Sequence, residues 1–302
     1  MRYAIGIDIG GTKIASGIVN QHGDLIQQEI IKSDSSDREK MFSQVITCVE
    51  RLMNHSSIPL SEIDGIGAGV PGKIDRDNGV ALFQNNLPWR DFPFVKRIQK
   101  QFKIECVVLD NDVYMAALAE WKEAGLTDEL LVYMTISTGI STSIIQAGEF
   151  IRGAGFAGEV GLVPVYAPYE ANRWERLEKT ASGPAMEQHA NQRFATNIMT
   201  GETLFHAYYN DDPIAVKLID DMASSLAQGV YMINSLLDPH KIVFGGSVAT
   251  HNPGLIDLLK EKLNYYLIEE QMHILQAMEI SKLGNEQGMI GAGLSVFDTL
   301  HT

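Results

Sequence analysis

The sequence predicts an α/β protein with two lobes. Apolar strands alternate with segments of helical periodicity along the chain, an order typical of a mainly parallel sheet covered by helices. The chain has 302 residues, 45% of them hydrophobic, and a domain usually has roughly 100 to 200 residues. We therefore expect two domains with a ligand-binding cleft between them.

Charge and composition argue against several classes of protein. The net charge of −14, without a run of Lys and Arg, makes a nucleic-acid partner an unfavourable interpretation. The two cysteines, Cys48 and Cys106, lie in apolar segments and are interpreted as core residues without a disulfide. Because the sequence carries neither a signal-peptide pattern nor an apolar run of roughly 18 residues, we expect a cytoplasmic protein that does not enter membranes.

The chain opens with three predicted strands that form a meander. Residues 3–9 alternate between large apolar residues and Ala4, Gly6 and Asp8, so one face of the strand is buried and the other permits close approach. Residues 15–19 and 25–31 predict the next two strands, which are joined by a short turn rich in polar residues and glycine.

Helices and strands alternate in the rest of the chain. Apolar residues recur at helical spacing from Asp37 to Asn54, and Ser35, Ser36 and Asp37 are suitable N-caps. Further strands are expected over residues 63–75, 104–110, 130–145 and 240–248, and further helices over residues 113–124, 184–196, 214–237 and 255–268. Residues 130–145 repeat the strand, small-residue turn and return strand of the N-terminus, which is consistent with two lobes that begin alike.

Three predicted strands end in turns of small residues. The turns are Gly10-Gly11-Thr12-Lys13, Ser137-Thr138-Gly139 and Gly245-Gly246-Ser247. Glycines let a backbone approach a phosphate group, and amide and hydroxyl groups donate hydrogen bonds to it. A single turn of this kind could be a hairpin that binds nothing, and none has the spacing of a Walker A loop or a dinucleotide fingerprint. Three of them together favour phosphate binding.

Three polar residues, Asp110, Asn111 and Asp112, separate a predicted buried strand from a predicted helix. Such residues are preferred helix caps, and one cap is sufficient. Ligands of open α/β sheets bind at the carboxyl ends of strands. Asp112 is therefore a candidate base that accepts a hydroxyl proton as the oxygen attacks phosphorus.

Nine segments together resemble the ROK family of sugar kinases and sugar-responsive repressors, in the order of that family. They are IGIDIGGTKI, GIGAGVPGKID, NNLPW, LDNDVYMAALAEW, STGISTSIIQAG, GAGFAGEVGL, LEKTASGPAM, IVFGGSV and LGNEQGMIGAG, from Ile5 to Gly293. The resemblance implies the two-lobed actin-like ATPase fold, which is ribonuclease H-like, with ATP and a sugar bound in a cleft. It implies domain limits of residues 1–115 with 290–302, and 116–289.

The resemblance also implies roles for individual residues. Gly10, Gly11, Thr12 and Lys13 would lie near the phosphates of ATP, with Asp8 acting on Mg²⁺ through water. Ser137, Thr138 and Gly139 would form a second phosphate clamp, and Gly245, Gly246 and Ser247 would line the adenosine. Asp112 would be the catalytic base, and the sugar would be bound by Gly72, Asn85, Asn86, Asn111, Asp112, Glu159 and Glu178. Without the resemblance, the two glutamates would be interpreted as solvated surface residues.

The sequence departs from the family pattern at two places. Many members carry a histidine and a cysteine cluster that bind structural zinc, whereas this chain has Glu159-Val160-Gly161-Leu162 and no cysteine after Cys106. Leucine cannot replace an imidazole ligand, so we expect no zinc, and one sugar contact is in doubt. The clamp reads STGISTS, with hydroxyl residues where glycine is frequent, and hydroxyls can still donate to phosphate.

These residues predict an ATP- and Mg²⁺-dependent sugar kinase that phosphorylates a primary hydroxyl, O6. The zinc-free pocket and the STGI clamp resemble the β-glucoside kinase branch, and glucokinase and N-acetylmannosamine kinase are the alternatives. A sensor that binds sugar without catalysis is the alternative of another class. A repressor is disfavoured, because the first phosphate loop at Gly10 leaves no room before it for a DNA-binding domain. The family resemblance implies a homodimer.

Overall fold

The computed structural model describes residues 1–84, 86–168 and 173–300, with Arg173 described in its backbone only. The strands are β1 Tyr3–Ile9, β2 Lys13–Asn20, β3 Leu25–Lys32, β4 Ile63–Val70, β5 Lys73–Asp75, β6 Val80–Phe83, β7 Arg90–Phe92, β8 Val107–Asn111, β9 Leu130–Ile136, β10 Ile140–Gln146, β11 Glu149–Phe150, β12 Pro164–Ala167, β13 Arg173–Arg176, β14 Lys241–Gly245 and β15 Met278–Ile280. The α-helices are α1 Arg38–His55, α2 Phe94–Phe102, α3 Asp112–Glu123, α4 Leu177–Ala181, α5 Gly183–Arg193, α6 Gly201–Tyr209, α7 Pro213–Leu237, α8 Ser247–His251, α9 Gly254–Asn264, α10 Ile274–Ala277 and α11 Gln287–Leu300.

The chain forms two compact units. The first comprises Met1–Leu126 and the C-terminal segment that begins at Glu286, and the second comprises Thr127–Asn285. These limits differ from the predicted domain limits at residues 115 and 290, because α3 packs against α11 and therefore remains with the first unit. As limits of functional domains, the values taken from the family resemblance remain a prediction.

The first unit contains a five-stranded sheet in the order β3-β2-β1-β4-β8. The predicted meander is confirmed, since β1, β2 and β3 pair antiparallel in sequence order. The strands β1, β4 and β8 pair parallel, so their carboxyl ends lie at one edge of the sheet. Helix α1 packs against β2 and β3, and Asp37 caps it by accepting hydrogen bonds from the backbone N–H groups of Glu39 and Lys40.

Helix α11 lies unusually close to this sheet because glycines face it. A Cβ atom added at Gly6 would lie 1.8 Å from the backbone oxygen of Met289, and one added at Gly67 would lie 1.7 Å from that of Ala292. These two glycines are on the neighbouring strands β1 and β4, where they pair directly with each other. Gly6, one of the small residues that alternate in β1, therefore allows α11 to pack directly against the strand. The alternation predicted a close approach at this face but did not identify a helix as the approaching element.

The second unit contains a five-stranded sheet in the order β11-β10-β9-β14-β15. Buried side chains of β9, β10 and β14 form a core with helices α5, α6, α7 and α9. In each large sheet, two strand pairs are antiparallel and two are parallel. The expectation of mainly parallel sheets is therefore wrong, because each unit begins with strands that return by a tight turn.

Two small sheets were not predicted from the sequence. Strands β5, β6 and β7 form one, and the hairpin of β12 and β13 forms the other. Their strands have only three or four residues each, too few for a clear period of two. Over the described residues, none of the helices combines the length and the apolar character that a membrane crossing needs.

The close contact of α11 gives a stability prediction. We expect Gly67→Ala to lower the free energy of unfolding by about 3 kcal/mol, because the added methyl group overlaps the backbone of α11. Chemical denaturation measures the change. Gly201→Ala is the matched control, since its added Cβ would lie 3.9 Å from its nearest neighbour, Glu187 Oε1. A Gly67→Ala protein as stable as this control would contradict the packing described.

Candidate active site

Strand register places two acidic residues in one row at the carboxyl edge of the first sheet, with one strand between them. Asp8 of β1 pairs with Gly69 of β4, and Gly69 pairs with Asp110 of β8. Adjacent strands are roughly 4.8 Å apart, so the backbones of Asp8 and Asp110 are separated by about 10 Å. Asn111 and Asp112 follow directly on the same edge, which is the edge where open α/β sheets bind ligands.

Asp8 has a carboxyl group whose environment suits a cation. Burial raises the pKa of Asp8, and the nearby Lys13 ammonium opposes this shift. Gly288 of α11 leaves room beside it, since an added Cβ would lie 3.0 Å from Asp8 Cγ. Mg²⁺ is commonly held by one or two carboxylates together with substrate phosphates. The donor chemistry at Asp8 therefore fits the magnesium ion that the sequence predicts.

The turn from Gly10 to Lys13 is a closed loop between β1 and β2. The Gly10 N–H donates to the Lys13 carbonyl at 2.9 Å. Ser33, directly after β3, stabilises the loop. Its hydroxyl donates to the Gly10 carbonyl at 2.7 Å, and its N–H donates to the Thr12 carbonyl at 3.1 Å. Ser33 carried no sequence signal, because its role depends on the pairing of β3 with β2.

Gly11 brings this loop against the NNLPW segment. A Cβ added at Gly11 would lie 2.9 Å from the Asn86 backbone oxygen, so the two predicted ligands lie side by side. Trp89 fixes the segment, because its ring is fully buried and its indole N–H donates to the Arg38 carbonyl at 3.0 Å. Asn85, also predicted to bind sugar, lies outside the described residues.

Asn111 and Asp112 lie at the start of α3, where the sequence offered both as helix caps and Asp112 also as a catalytic base. Asn111 is the N-cap of α3 and accepts from the Val113 N–H at 2.9 Å, while its side-chain amide donates to the Gly72 carbonyl at 3.3 Å. Asp112 is the first helical residue, and its Cα lies 3.2 Å from the position of a Cβ added at Gly69. Asp112 Oδ1 also accepts from the Val113 N–H, at 3.0 Å, so both side chains contact this N–H and the cap does not depend on Asp112 alone.

Gly72 occupies a conformation that favours glycine. Its φ is +88°, and an added Cβ would lie 2.3 Å from the Phe83 carbonyl oxygen. The backbone of Gly72 is therefore held between β6 and the Asn111 side chain. Within the first unit, the fold brings together Asp8, Gly10–Lys13, Gly72, Asn86, Asn111 and Asp112 near one sheet edge.

The second unit brings its two small-residue turns together. The Ser137 and Ser247 hydroxyl oxygens are 3.3 Å apart, which joins the β9–β10 turn to the start of α8. The Ser137 carbonyl also accepts from the Gly183 N–H at 2.8 Å. Thr138 is exposed at the tip of the turn, and the Gly139 carbonyl accepts from the Ser137 N–H at 2.9 Å.

Gly245 and Gly246 allow β14 to approach β9. Gly245 pairs with Thr135, and a Cβ added there would lie 2.1 Å from the Tyr133 hydroxyl oxygen. Gly246 has a φ of +81°, and its added Cβ would lie 2.5 Å from the Ile136 carbonyl oxygen. Both glycines are thus needed for packing within the unit, whatever they bind.

Glu159 and Glu178 form a carboxylate pair beside the β9–β10 turn. Partial burial raises the pKa of Glu159, the negative charge of Glu178 raises it further, and a hydrogen bond from Ser141 opposes both. Glu178 Oε2 lies 3.9 Å from the position of a Cβ added at Gly139. The pair therefore lies next to the predicted phosphate clamp, and the two glutamates are not isolated surface residues.

The unusual hydroxyl residues of the clamp hold the Glu159 loop. Ser141 hydrogen-bonds the Glu159 carboxylate, and the Thr142 hydroxyl donates to the Gly158 carbonyl at 2.7 Å. The Thr142 N–H donates to the same carbonyl at 2.7 Å. These two hydroxyls thus help to hold the loop that carries Glu159, and the donation of the clamp hydroxyls to phosphate remains a prediction. Their role was missed because it depends on a contact between distant segments.

The donor set does not fit a structural zinc ion. Leu162, at the position of the family's histidine, has no donor atom and is 43% exposed. Within the described ranges, no group of three or more His, Cys, Asp or Glu side chains is arranged to hold a metal. The absence of zinc from the protein itself remains a prediction.

Comparisons with known proteins agree with the features of both units. The ROK family model matches residues 4–298. The chain is 29% identical to a glucokinase of Halalkalibacterium halodurans, with 97% of this chain and 94% of that protein covered. It is 26% identical to a β-glucoside kinase of Klebsiella pneumoniae, with 94% and 93% covered.

A solved structure shows the same fold. The ROK family glucokinase of Streptomyces griseus, in complex with glucose and AMPPNP, matches with a TM-score of 0.79 and 26% identity, covering 96% of this chain and 97% of that one. The predicted family and the predicted actin-like ATPase fold are therefore confirmed. Since the family model spans nearly all of its residues, this chain belongs to the ROK family.

Proposed function

We propose that this ROK family member transfers the γ-phosphoryl group of ATP to the O6 hydroxyl of a glucose-type sugar or β-glucoside. The observation that carries the proposal is the position of Asp112. It follows β8 at the carboxyl edge of the sheet, beside Gly69 and two residues after Asp110, the residue in the same row as Asp8. A carboxylate placed in this way serves as a general base close to a phosphate site.

In the proposed reaction, Asp112 accepts the proton of the sugar O6 hydroxyl. The O6 oxygen forms a bond to the γ-phosphorus, and the bond from that phosphorus to the bridging oxygen of ADP breaks. ADP leaves, and the products are the sugar 6-phosphate and ADP. Most of the rate acceleration in such transfers comes from positioning and electrostatic stabilisation, so the rigid attachment of Asp112 to β8 and α3 matters as much as its basicity.

The small-residue turns would bind the nucleotide. Gly10–Lys13 and Ser137–Gly139 offer backbone N–H and hydroxyl donors for the phosphates, and the Lys13 ammonium opposes their charge. Gly245, Gly246 and Ser247 would line the adenosine. Asp8 would hold Mg²⁺ through water, and the ion when bound reduces the negative charge of the phosphates.

The carboxylates and amides would bind the sugar. Glu159 and Glu178 accept hydrogen bonds from sugar hydroxyls, and Asn86 and Asn111 both accept and donate them. Gly72 offers a backbone close to the Asn111 amide. Carboxylate and amide groups of this kind suit the hydroxyls of a pyranose, and they favour no single sugar among glucose, N-acetylmannosamine and a β-glucoside. For compartment and assembly we propose the cytoplasm and a homodimer, as the cysteine usage and the family resemblance respectively imply.

The role of Asp112 can be tested by replacing it. We expect Asp112→Asn to lower kcat for sugar phosphorylation by about 10²- to 10⁴-fold, because the amide cannot accept the proton. A coupled assay of ADP release measures kcat, and calorimetry checks that sugar binding persists. Asp298→Asn is the control, since that aspartate pairs with Lys122 at the surface. Unchanged turnover in Asp112→Asn would overturn the assignment, and sugar binding without turnover in the natural protein would favour a sensor.

The carboxylate pair makes a pH prediction. The pKa of Glu159 is raised, so its carboxyl group takes up a proton at a higher pH than an ordinary glutamate with a pKa of 4.5. We expect Glu178→Gln to lower the pKa of Glu159 towards that value, because the neighbouring negative charge is removed. NMR titration of the Glu159 carboxyl carbon in the ligand-free protein measures it. A pKa that rises or stays constant would contradict the pairing, and Glu187→Gln serves as the control.

The donor set also predicts the metal content. We expect protein purified without chelator to contain less than stoichiometric zinc by elemental analysis, and treatment with a zinc chelator to leave its unfolding temperature unchanged. The physical reason is that Leu162 provides no ligand atom. One zinc ion per chain, retained through dialysis, would refute this expectation.

A further inference from the structure

The segment between Glu159 and Glu178 contains a hairpin with two distinct faces. Strands β12 and β13 pair antiparallel, with Tyr166 opposite Trp174 and Pro164 opposite Arg176. Val165 and Ala167 on the inner face are fully buried against the core. On the outer face, Trp174 is 64% exposed. A large aromatic ring is thus held at the surface by a well-anchored strand pair.

Helix α7 fixes this hairpin through its backbone. The Gln228 side chain accepts from the Tyr166 N–H at 2.9 Å and donates to the Tyr166 carbonyl at 2.9 Å. The next residue, Gly229, lies so close to Leu177 that an added Cβ would be 2.5 Å from its Cδ2 atom. The hairpin and the start of α4, which carries Glu178, therefore dock on the same turn of α7.

The outer face of the hairpin leads from Glu178 to Trp174. Burial alternates along β13 into α4, with Trp174 and Arg176 exposed, Leu177 fully buried and Glu178 partly exposed. Trp174 lies two strand residues, roughly 7 Å of extended chain, before Arg176, and α4 with Glu178 begins at the next residue, so Trp174 is close enough to Glu178 for two neighbouring sugar rings. Leu162, also exposed, precedes β12 on the opposite strand.

The two aromatic rings of this face are arranged to receive a ligand. Tyr166 and Trp174 have ring centroids 6.4 Å apart and planes at 75°, so the Tyr166 ring supports the edge of the indole. The Trp174 indole then keeps most of its surface open. Rigid aromatic surfaces next to polar groups bind ligands at a low entropic cost, and the C–H face of a pyranose packs well against an indole.

We propose that this outer face is a second sugar subsite, in which Trp174 packs against the second ring of a β-linked disaccharide while Glu159 and Glu178 bind the first. The inference rests on the proposed function for the location of the first ring. It extends that function by naming a disaccharide as the favoured substrate class and Trp174 as a residue that determines specificity.

The test compares Trp174→Ala and Trp174→Phe with the natural protein, using cellobiose and glucose. Cellobiose has a second β-linked ring, and glucose has none. We expect the ratio of kcat/KM for cellobiose to that for glucose to fall about tenfold in Trp174→Ala, because a lost stacking contact is worth about 1.4 kcal/mol. Trp174→Phe should restore most of the ratio. Tyr265→Ala is the control, since this tyrosine is 79% exposed at the end of α9.

Binding measured without ATP separates this inference from the proposed reaction. By calorimetry, we expect the natural protein to bind cellobiose more tightly than glucose, and Trp174→Ala to lose that preference. If cellobiose binds in this Trp174-dependent manner but no sugar is phosphorylated, the subsite stands and the kinase proposal fails. If glucose is phosphorylated and Trp174→Ala leaves the ratio unchanged, the subsite is refuted alone. A change of oligomeric mass in Trp174→Ala would also refute it, because the face would then be an interface.

Discussion

The parallel pairing of β1, β4 and β8 is the constraint on which the candidate site of the first unit depends. This pairing places Asp8, Gly69 and Asp110 in one row across the sheet, and Asp112 follows Asp110 by two residues. The register in turn depends on α11, whose backbone contacts Gly6 and Gly67 so closely that no side chain fits there. The C-terminal helix therefore contributes to the geometry of residues that lie more than a hundred positions earlier in the chain.

In the second unit, hydrogen bonds help to position the two candidate sugar-binding glutamates. The loop that carries Glu159 is held by Ser141 and Thr142 of β10, and the start of α4, which carries Glu178, docks on α7. These contacts bring two like charges together, at the cost of a raised pKa for Glu159. Between the two glutamates, the chain has a hairpin attached by Gln228 and by buried apolar side chains. Neutral hydrogen bonds and apolar packing therefore stabilise the hairpin between Glu159 and Glu178.

Much of the fold could be predicted because local patterns determine it. The meander, α1 with its Asp37 cap, and the long helix α7 follow from periodicity and capping residues. The β12–β13 hairpin could not be predicted because its strands are too short to show a period of two, and the proximity of α11 could not because it depends on contacts between distant segments. The sheets are half antiparallel because consecutive strands at the start of each unit return by tight turns.

The candidate site was predictable to a similar degree. The residue types at Asp112, Asn111 and the glycine-rich turns indicated phosphate and hydroxyl chemistry, and the order of nine segments indicated the family. That Asn111 is the N-cap residue of α3, and that Asp112 Oδ1 accepts from the same Val113 N–H, became clear only from the structure. Ser33 gave no sequence signal, and the departure at Ser141 did not reveal its partner Glu159, because the partner of a serine depends on the tertiary fold.

Product identification tests the proposed chemistry most directly. The purified protein would be incubated with MgATP and ¹³C-labelled glucose or cellobiose, and the product analysed by ¹³C and ³¹P NMR. The proposed reaction predicts phosphorus coupling to carbon 6 of one glucosyl ring, with one ADP formed per sugar phosphate. Phosphorylation at another carbon would contradict the proposed acceptor, and ADP formation without a sugar phosphate would contradict sugar phosphorylation itself.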